Sequence, residues 1–397
     1  MTTIAAQQVS GIWGPVTPIP AYALETVASP NGYTVVLPQD FYSPNPPVTP
    51  LQTIVNVWSG SKVVSQDFFG CHYGKWPGAG NPPLVTHNVV RTHDYTGGSS
   101  TWRARWNKIE TSAGVYDWTL LDNFVNFHYA AGRKILHTLF GTPNFYSARP
   151  SEACSYELGA AAEPADLTKW DNYCTAVAQR YVGKITHYEI WNEPNLSGFF
   201  TGTQTILSQL VRRASVAIKA VDPSAFIVSP PVTSLQTGGS GLTYFLGMMQ
   251  ASDGAAGQMK SWVDVVGCHL YPVNYAGEKD IPQMITDLRA HMVTLGINTK
   301  PLWNTEFSVL SPTFSTLTSE QRRASIQRML TCSAAHNSGA CDTSIWYGGD
   351  NTSLGFVEED KTAWNAHRSL MLQGISVINQ IRDGRTAAVV NGQNFLW

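Results

Sequence analysis

No stretch of the 397 residues is apolar for the roughly 20 positions that a membrane-spanning helix needs. The first residues, MTTIAAQQVSGIWGP, have neither the basic start nor the apolar run of a secretory leader. Charge is scarce at 14%, the net charge is −2, and no basic run or stripe occurs, so nucleic acid is not an expected partner. There is no CxxC or HExxH spacing and the ten histidines are scattered, which argues against a bound metal. No strand candidate leads into a Gly-rich phosphate loop. The GTP after KILHTLF is not a GxGxxG, so no cofactor is expected. Internal repeats and low-complexity segments are missing as well.

What is present suits a large core: 43% of residues are hydrophobic, with 13 Trp and 16 Tyr. Such rings fill cores, and they are also surfaces on which the apolar face of a pyranose stacks. Six cysteines occur. Cys332 and Cys341 flank the loop-like SAAHNSGA, and Cys154 and Cys174 are close in the chain, so both are candidate disulfide pairs. Cys71 and Cys268 sit in strand-like runs as buried thiols. Two disulfides would favour an oxidising compartment, and the expectation is a secreted or periplasmic protein whose leader is not in this sequence. Six reduced thiols in a cytoplasmic protein are the alternative.

From about residue 66 onward, strand and helix patterns alternate. The strand candidates are QDFFGCHYG, LVTHNVVRTHD, KILHTLFGTP, THYEIWNEP, AFIVSPPVT, VDVVGCHLYP, KPLWNTEFSVL and DTSIWYGGD. Helical spacing fills most of the gaps, as in WTLLDNFVNFHYAAG, which stops at Gly132. The segment after GCHYG reads more as loop than helix. Eight parallel strands close most economically as a (β/α)8 TIM barrel, with an open doubly wound sheet as the rival. The expected organisation is an N-terminal Pro/Gly-rich β segment over 1–65, the barrel over 66–374 and a C-terminal β segment over 375–397. The two end segments carry short β runs and Asp-Gly and Asn-Gly turns, and are expected to pair into a small accessory β-module.

Catalytic side chains of such barrels come from the C-terminal ends of strands. The fourth strand ends in Asn192 and Glu193, and the seventh ends near Glu306. These strands lie across the barrel mouth from each other. Two carboxyls facing one cleft are the minimal equipment of a glycosidase, retaining if ~5–5.5 Å apart and inverting if ~6.5–9.5 Å apart. Glu189 shares the face of Glu193 one layer deeper, where pairing with a buried cation is the expectation. Strict alternation sends residues 192 and 193 to opposite faces, so both reach a ligand only if the strand bulges before Pro194.

EIWNEPNL with the Glu of PLWNTEF resembles the large clan of retaining (β/α)8 glycoside hydrolases. YDWTLLDNFVNFHYAAGRKILHTLFGTPNF and the Asn-Leu after Glu-Pro are most similar to glycoside hydrolase family 39, home of β-xylosidases, α-L-iduronidases and some exopolysaccharide hydrolases. The resemblance covers roughly residues 66–374. It implies Glu193 as acid/base and Glu306 as nucleophile. The charge on Glu306 would then favour the protonated form of Glu193 until the sugar esterifies Glu306. The resemblance further implies that Asn192 bonds the sugar 2-OH and that Arg91 supports the nucleophile, the alternatives being a turn-forming Asn and a barrel-rim ion pair. His269 and Tyr271, in CHLYP, are placed to reach the nucleophile or the sugar, although a core histidine is nearly as apt. Trp346 is a candidate stacking floor or barrel packing. His137, Asn144 and Tyr146 surround the end of the third strand as further candidates, and Trp76, Trp102 and Trp106 lie in early loops. The insertion YSARPSEACSYELGAAAEPADL is expected to wall a pocket or border a groove. Arg103, Arg105 and Arg149 are the cations available for a uronic acid. The implied activity is retaining hydrolysis of an oligo- or polysaccharide, whether bacterial exopolysaccharide or plant-type glycan. Transglycosylation and non-catalytic carbohydrate binding are the alternatives.

Overall fold

A computed structural model describes residues 24–28, 34–38, 54–78, 84–98, 104–236, 238–253, 257–272, 280–337, 339–381 and 386–396. Its centre is an eight-stranded parallel sheet: β1 Phe69–His72, β2 Val89–Arg91, β3 Lys134–Leu139, β4 His187–Ile190, β5 Phe226–Val228, β6 Val266–His269, β7 Leu302–Phe307 and β8 Thr343–Trp346. The order is β5-β4-β3-β2-β1-β8-β7-β6. Parallel bridges Val228–Val265 and Val232–Cys268 join the two outer strands and close the barrel. Each expected strand is present, trimmed at its ends. No helix intervenes between β1 and β2 among the described residues. There the backbone N–H groups of Gly74, Lys75 and Trp76 all donate to the Asp350 carboxylate.

The outer ring comprises α1 Thr119–Ala130, α2 Thr168–Tyr181, α3 Gln204–Val221, α4 Gly241–Gln250, α5 Asp280–Thr294, α6 Ser319–Ala334 and α7 Glu358–Met371. The sequence pattern had not singled out α4. Its segment GLTYFLGMMQ is nearly all apolar and holds two glycines. Inside the barrel, Val89, Leu136, Val228, Val265, Trp303 and Ile345 form one buried cluster. The inward position of β1 is Gly70, where an added Cβ would come within 2.6 Å of Ile345 Cγ1. The space that a β1 side chain would fill is taken by its neighbour on β8.

Beside the barrel, Ile54–Lys62 pairs antiparallel with Ile375–Ile381, followed by Thr386–Val390 and Gln393–Leu396 in a four-stranded sheet. The N- and C-terminal segments thus do build one accessory sheet. Its last hairpin turns at Asn391-Gly392, both with positive φ (47° and 71°), as a type I′ turn demands. Ile375, Ile378, Val390 and Phe395 join the main hydrophobic core. The Asp383-Gly384 turn lies outside the described residues. No helix of the described residues is long and apolar enough to cross a membrane.

Candidate active site

Strict alternation on β4 would send Glu189, Trp191 and Glu193 to the barrel interior and Asn192 outward. The chain breaks that rule. Trp191 and Glu193 both adopt left-handed backbone, φ 66° and 42°, a conformation that costs a non-glycine residue roughly 1–2 kcal/mol. Trp191 turns into the helix-side core, against Phe200 and Trp170. Asn192 and Glu193 both face the barrel mouth. On β7 a register shift between Asn304 and Phe307 serves the same end. Trp303 points inward, so alternation alone would aim residue 306 at the helices. The irregularity brings Glu306 to the mouth and sends Phe307 against Trp346.

The two carboxylates meet. An oxygen of Glu193, a nitrogen of His269 and an oxygen of Glu306 lie within 4.8 Å of one another. His269 Nδ1 and Glu193 Oε1 are 2.7 Å apart, and His269 Nε2 is 3.7 Å from Glu306 Oε2. Tyr271 donates to Glu306 Oε1 at 2.6 Å, and Arg91 donates to Oε2 at 2.6 Å. Both glutamates are 8% exposed, enough to be reached from the cleft and little enough to be poorly hydrated.

Arg91 is the hub beneath them. Its Nη2 donates to Glu189 Oε2 at 2.6 Å and to Asn192 Oδ1 at 2.8 Å, and its Nε also reaches Glu189 at 2.9 Å. Thr138 donates to the same Glu189 oxygen at 2.8 Å. Glu189 is therefore the buried counter-ion of Arg91, one layer below the pair. Burial alone would push the Glu306 carboxyl up, but His269, Arg91, His93 and the Tyr271 hydroxyl outweigh it and hold it at about 2. Glu306 is an anion at any ordinary pH. Burial likewise pushes the Tyr271 phenol well up, with the charge of Glu306 adding to it, so Tyr271 stays a neutral donor.

Glu193, His269 and Glu306 are also the only set of three potential cation ligands among the described residues. Each oxygen of Glu306 already accepts from Arg91 or Tyr271. A cation bound there would sit beside the Arg91 guanidinium, which charge opposes. The donor set fits a carboxylate pair better than a metal.

Four expected ligand contacts fall elsewhere. Trp346 is fully buried, its ring enclosed by Phe307, Phe314, Phe356 and Trp364, and its indole N–H goes to Leu354 O, so no face remains for a sugar. The inward residue of β8 is Ile345, and alternation from it brings Tyr347 to the mouth instead. The Tyr347 hydroxyl donates to Asp94 at 2.8 Å while its ring stacks on His72. His137 points away from the cleft, fully buried, with Nδ1 at 2.8 Å from the Thr92 hydroxyl, and burial pushes its pKa down to about 3. Asn144 donates to the carbonyls of Pro150 and Leu158 and so braces the insertion. Tyr146 donates to Glu110 at 2.9 Å. Of the early tryptophans, Trp106 is core, Trp76 packs on Phe127, and Trp102 lies outside the described residues, as does Arg103. Arg149 is taken up by Glu152, Glu163 and Thr201.

The expected disulfides do not form: Cys154, Cys174, Cys332 and Cys341 all remain thiols. Cys154 lies in the insertion, donating to Glu157 O at 2.8 Å, whereas Cys174 is buried on α2. Cys332 is buried on α6, and Cys341 neighbours Cys268. Besides Tyr347, sequence reasoning missed Tyr156, which comes from the insertion to bond Asn192. An aromatic in a long loop after a barrel strand was its only signal.

Residues 85–283, half of the chain, match the profile of Glycosyl hydrolases family 39. Among solved structures, a monomeric beta-xylosidase from Caulobacter crescentus CB15 superposes with TM-score 0.57 at 18% identity, covering 83% of this chain and 73% of its own. A family 39 glycoside hydrolase from the gut symbiont Bacteroides cellulosilyticus WH2 gives 0.56 at 16%, covering 82% and 72%. A glucosidase from Croceicoccus marinus gives 0.55 at 16%, covering 82% and 74%. At these identities the likeness concerns the barrel. Profile, fold and carboxylate pair agree, and the chain belongs to glycosyl hydrolases family 39 and is a glycoside hydrolase.

Proposed function

We propose that the enzyme is a retaining O-glycosidase working by double displacement on an oligo- or polysaccharide, with Glu306 as nucleophile and Glu193 as acid/base. The observation that carries this reading is the approach of Glu193 and Glu306 from opposite strands to within 4.8 Å, oxygen to oxygen. That spacing suits direct attack on the sugar and leaves no room for the water that inversion needs between carboxylate and anomeric carbon.

In the first half-reaction a Glu306 oxygen bonds the anomeric carbon while the bond to the leaving oxygen breaks and Glu193 gives that oxygen its proton. In the second, Glu193 takes a proton from water, the water oxygen attacks the same carbon, and the ester to Glu306 breaks. Arg91 and Tyr271 each hold one oxygen of the nucleophile, so its orientation is set before substrate arrives. Asn192 meets the sugar 2-OH, a contact that strengthens in the transition state. The structural relatives described as a beta-xylosidase and a glucosidase make β-xylosides and β-glucosides the first probes, and bacterial exopolysaccharide and plant-type glycans the polymer classes to follow.

Glu306→Ala should lower hydrolysis at least about a thousandfold while the protein still folds. Azide should then restore turnover and give a glycosyl azide of inverted configuration. Normal activity in Glu306→Ala would overturn the assignment.

A further inference from the structure

The insertion between β3 and α2 is clamped to the loop after β4. Ser155 N donates to Gly198 O at 2.9 Å, Thr201 N donates to Ala161 O at 3.0 Å, and Arg149 links Glu163 to the Thr201 hydroxyl. At the seam, Tyr156 stacks on Phe199 with ring centroids 5.0 Å apart and planes at 21°, meets the edge of Phe140, and lies 4.8 Å from the Arg105 guanidinium. So fixed, its hydroxyl accepts from Asn192 Nδ2 at 3.3 Å.

The opposite end of the Asn192 amide is also determined. Arginine has only donors, so the atom facing Arg91 Nη2 at 2.8 Å must be Oδ1. Nδ2 then faces Tyr156. Of its two N–H groups, one is directed at the phenol and the other has no partner among the described residues. Arg91 sets which way round the amide lies. By itself, though, one bond leaves the amide plane free to swing about that contact. A second bond, from a rigid aromatic on the other side, removes this freedom.

We propose that Tyr156 is a positioning residue that holds the Asn192 amide plane, so that the remaining N–H is presented to the sugar 2-OH. The inference rests on the proposed role of Asn192 beside the catalytic pair. It gives the insertion a part in the chemistry. Loss of the phenol oxygen weakens only the interaction made through the 2-OH, leaving the carboxylates untouched.

Tyr156→Phe keeps the ring and its stack on Phe199 and removes the oxygen alone. The probes are 4-nitrophenyl β-D-xyloside and β-D-glucoside with their 2-deoxy counterparts. The expected result is a fall in kcat/KM of about five- to tenfold on the 2-hydroxy substrate, borne by kcat, and no fall on the 2-deoxy one. An equal fall on both, or none on either, would overturn the proposal. A second arm needs no turnover: in a crystal structure of Tyr156→Phe, the Asn192 side chain should leave its contact with Arg91 or split between conformers. An unchanged side chain would count against the inference. If the unaltered enzyme cleaves none of the probes, the reading of the probes' sugar fails, while the crystallographic arm still decides the role of Tyr156.

Discussion

Arg91 joins three acidic or amide groups that come from two different strands, and removing it would leave Glu189 as a buried charge without a counter-ion. The same cation helps hold Glu306 at about 2, against an ordinary value of 4.5. A carboxyl lowered on folding contributes stability that is fully present above its unfolded value and is lost as pH falls through its folded one. Glu306 therefore stabilises the fold above about pH 4.5, and that share disappears between about 4.5 and 2. Urea unfolding of wild type and Glu306→Gln across this range should show a difference that shrinks as pH drops. A difference that is constant with pH would contradict the electrostatic account. At this scale the two glutamates were legible from the ends of their strands and Glu189 as the partner of a buried cation, whereas Arg91 was named through the family resemblance. The sequence was illegible where direction mattered. Trp346 and Tyr347 are adjacent aromatics, and only the inward position of Ile345 tells which of them faces the mouth.

Elements were legible to the extent that their pattern was periodic. The barrel strands were read from short runs rich in β-branched and aromatic residues, and six of the seven long helices among the described residues answer to expected segments. The helix Gly241–Gln250, nearly all apolar with two glycines, was not expected. The bulges at Trp191–Glu193 and at Asn304–Phe307 break period two, and both carry a catalytic candidate. A bulge had been anticipated on β4 from Pro194, but nothing local in LWNTEF signals the one on β7. Interior packing offers a test at this scale. Gly70→Ala would push a methyl against Ile345 Cγ1 and lie 3.2 Å from its Cα, so backbone as well as side chain must yield. The variant should lose about 1–3 kcal/mol in denaturant unfolding while keeping its activity per folded molecule. Unchanged stability would mean that the barrel interior is looser than its geometry indicates.

For the whole molecule, closure of the barrel supplies what no local segment contains. The family profile spans residues 85–283, which include Arg91, Asn192, Glu193, His269 and Tyr271. Glu306 lies beyond that span and reaches the others only because β7 sits beside β6 in a closed sheet. The accessory sheet ties the strand Ile54–Lys62 to α6 and the C-terminal strands to α7. Lys62 Nζ donates to Ala334 O at 2.5 Å, and His367 meets Phe395. With all six cysteines outside any disulfide, the disulfide argument for an oxidising compartment loses its footing. The most direct test of the central claim is mass spectrometry after reaction with 2,4-dinitrophenyl 2-deoxy-2-fluoro-β-D-xyloside or its glucoside analogue, locating the residue that carries the sugar. Two acids of one cleft with divided roles predict a single glycosyl ester on Glu306. An ester on Glu193 or on any other residue would contradict them.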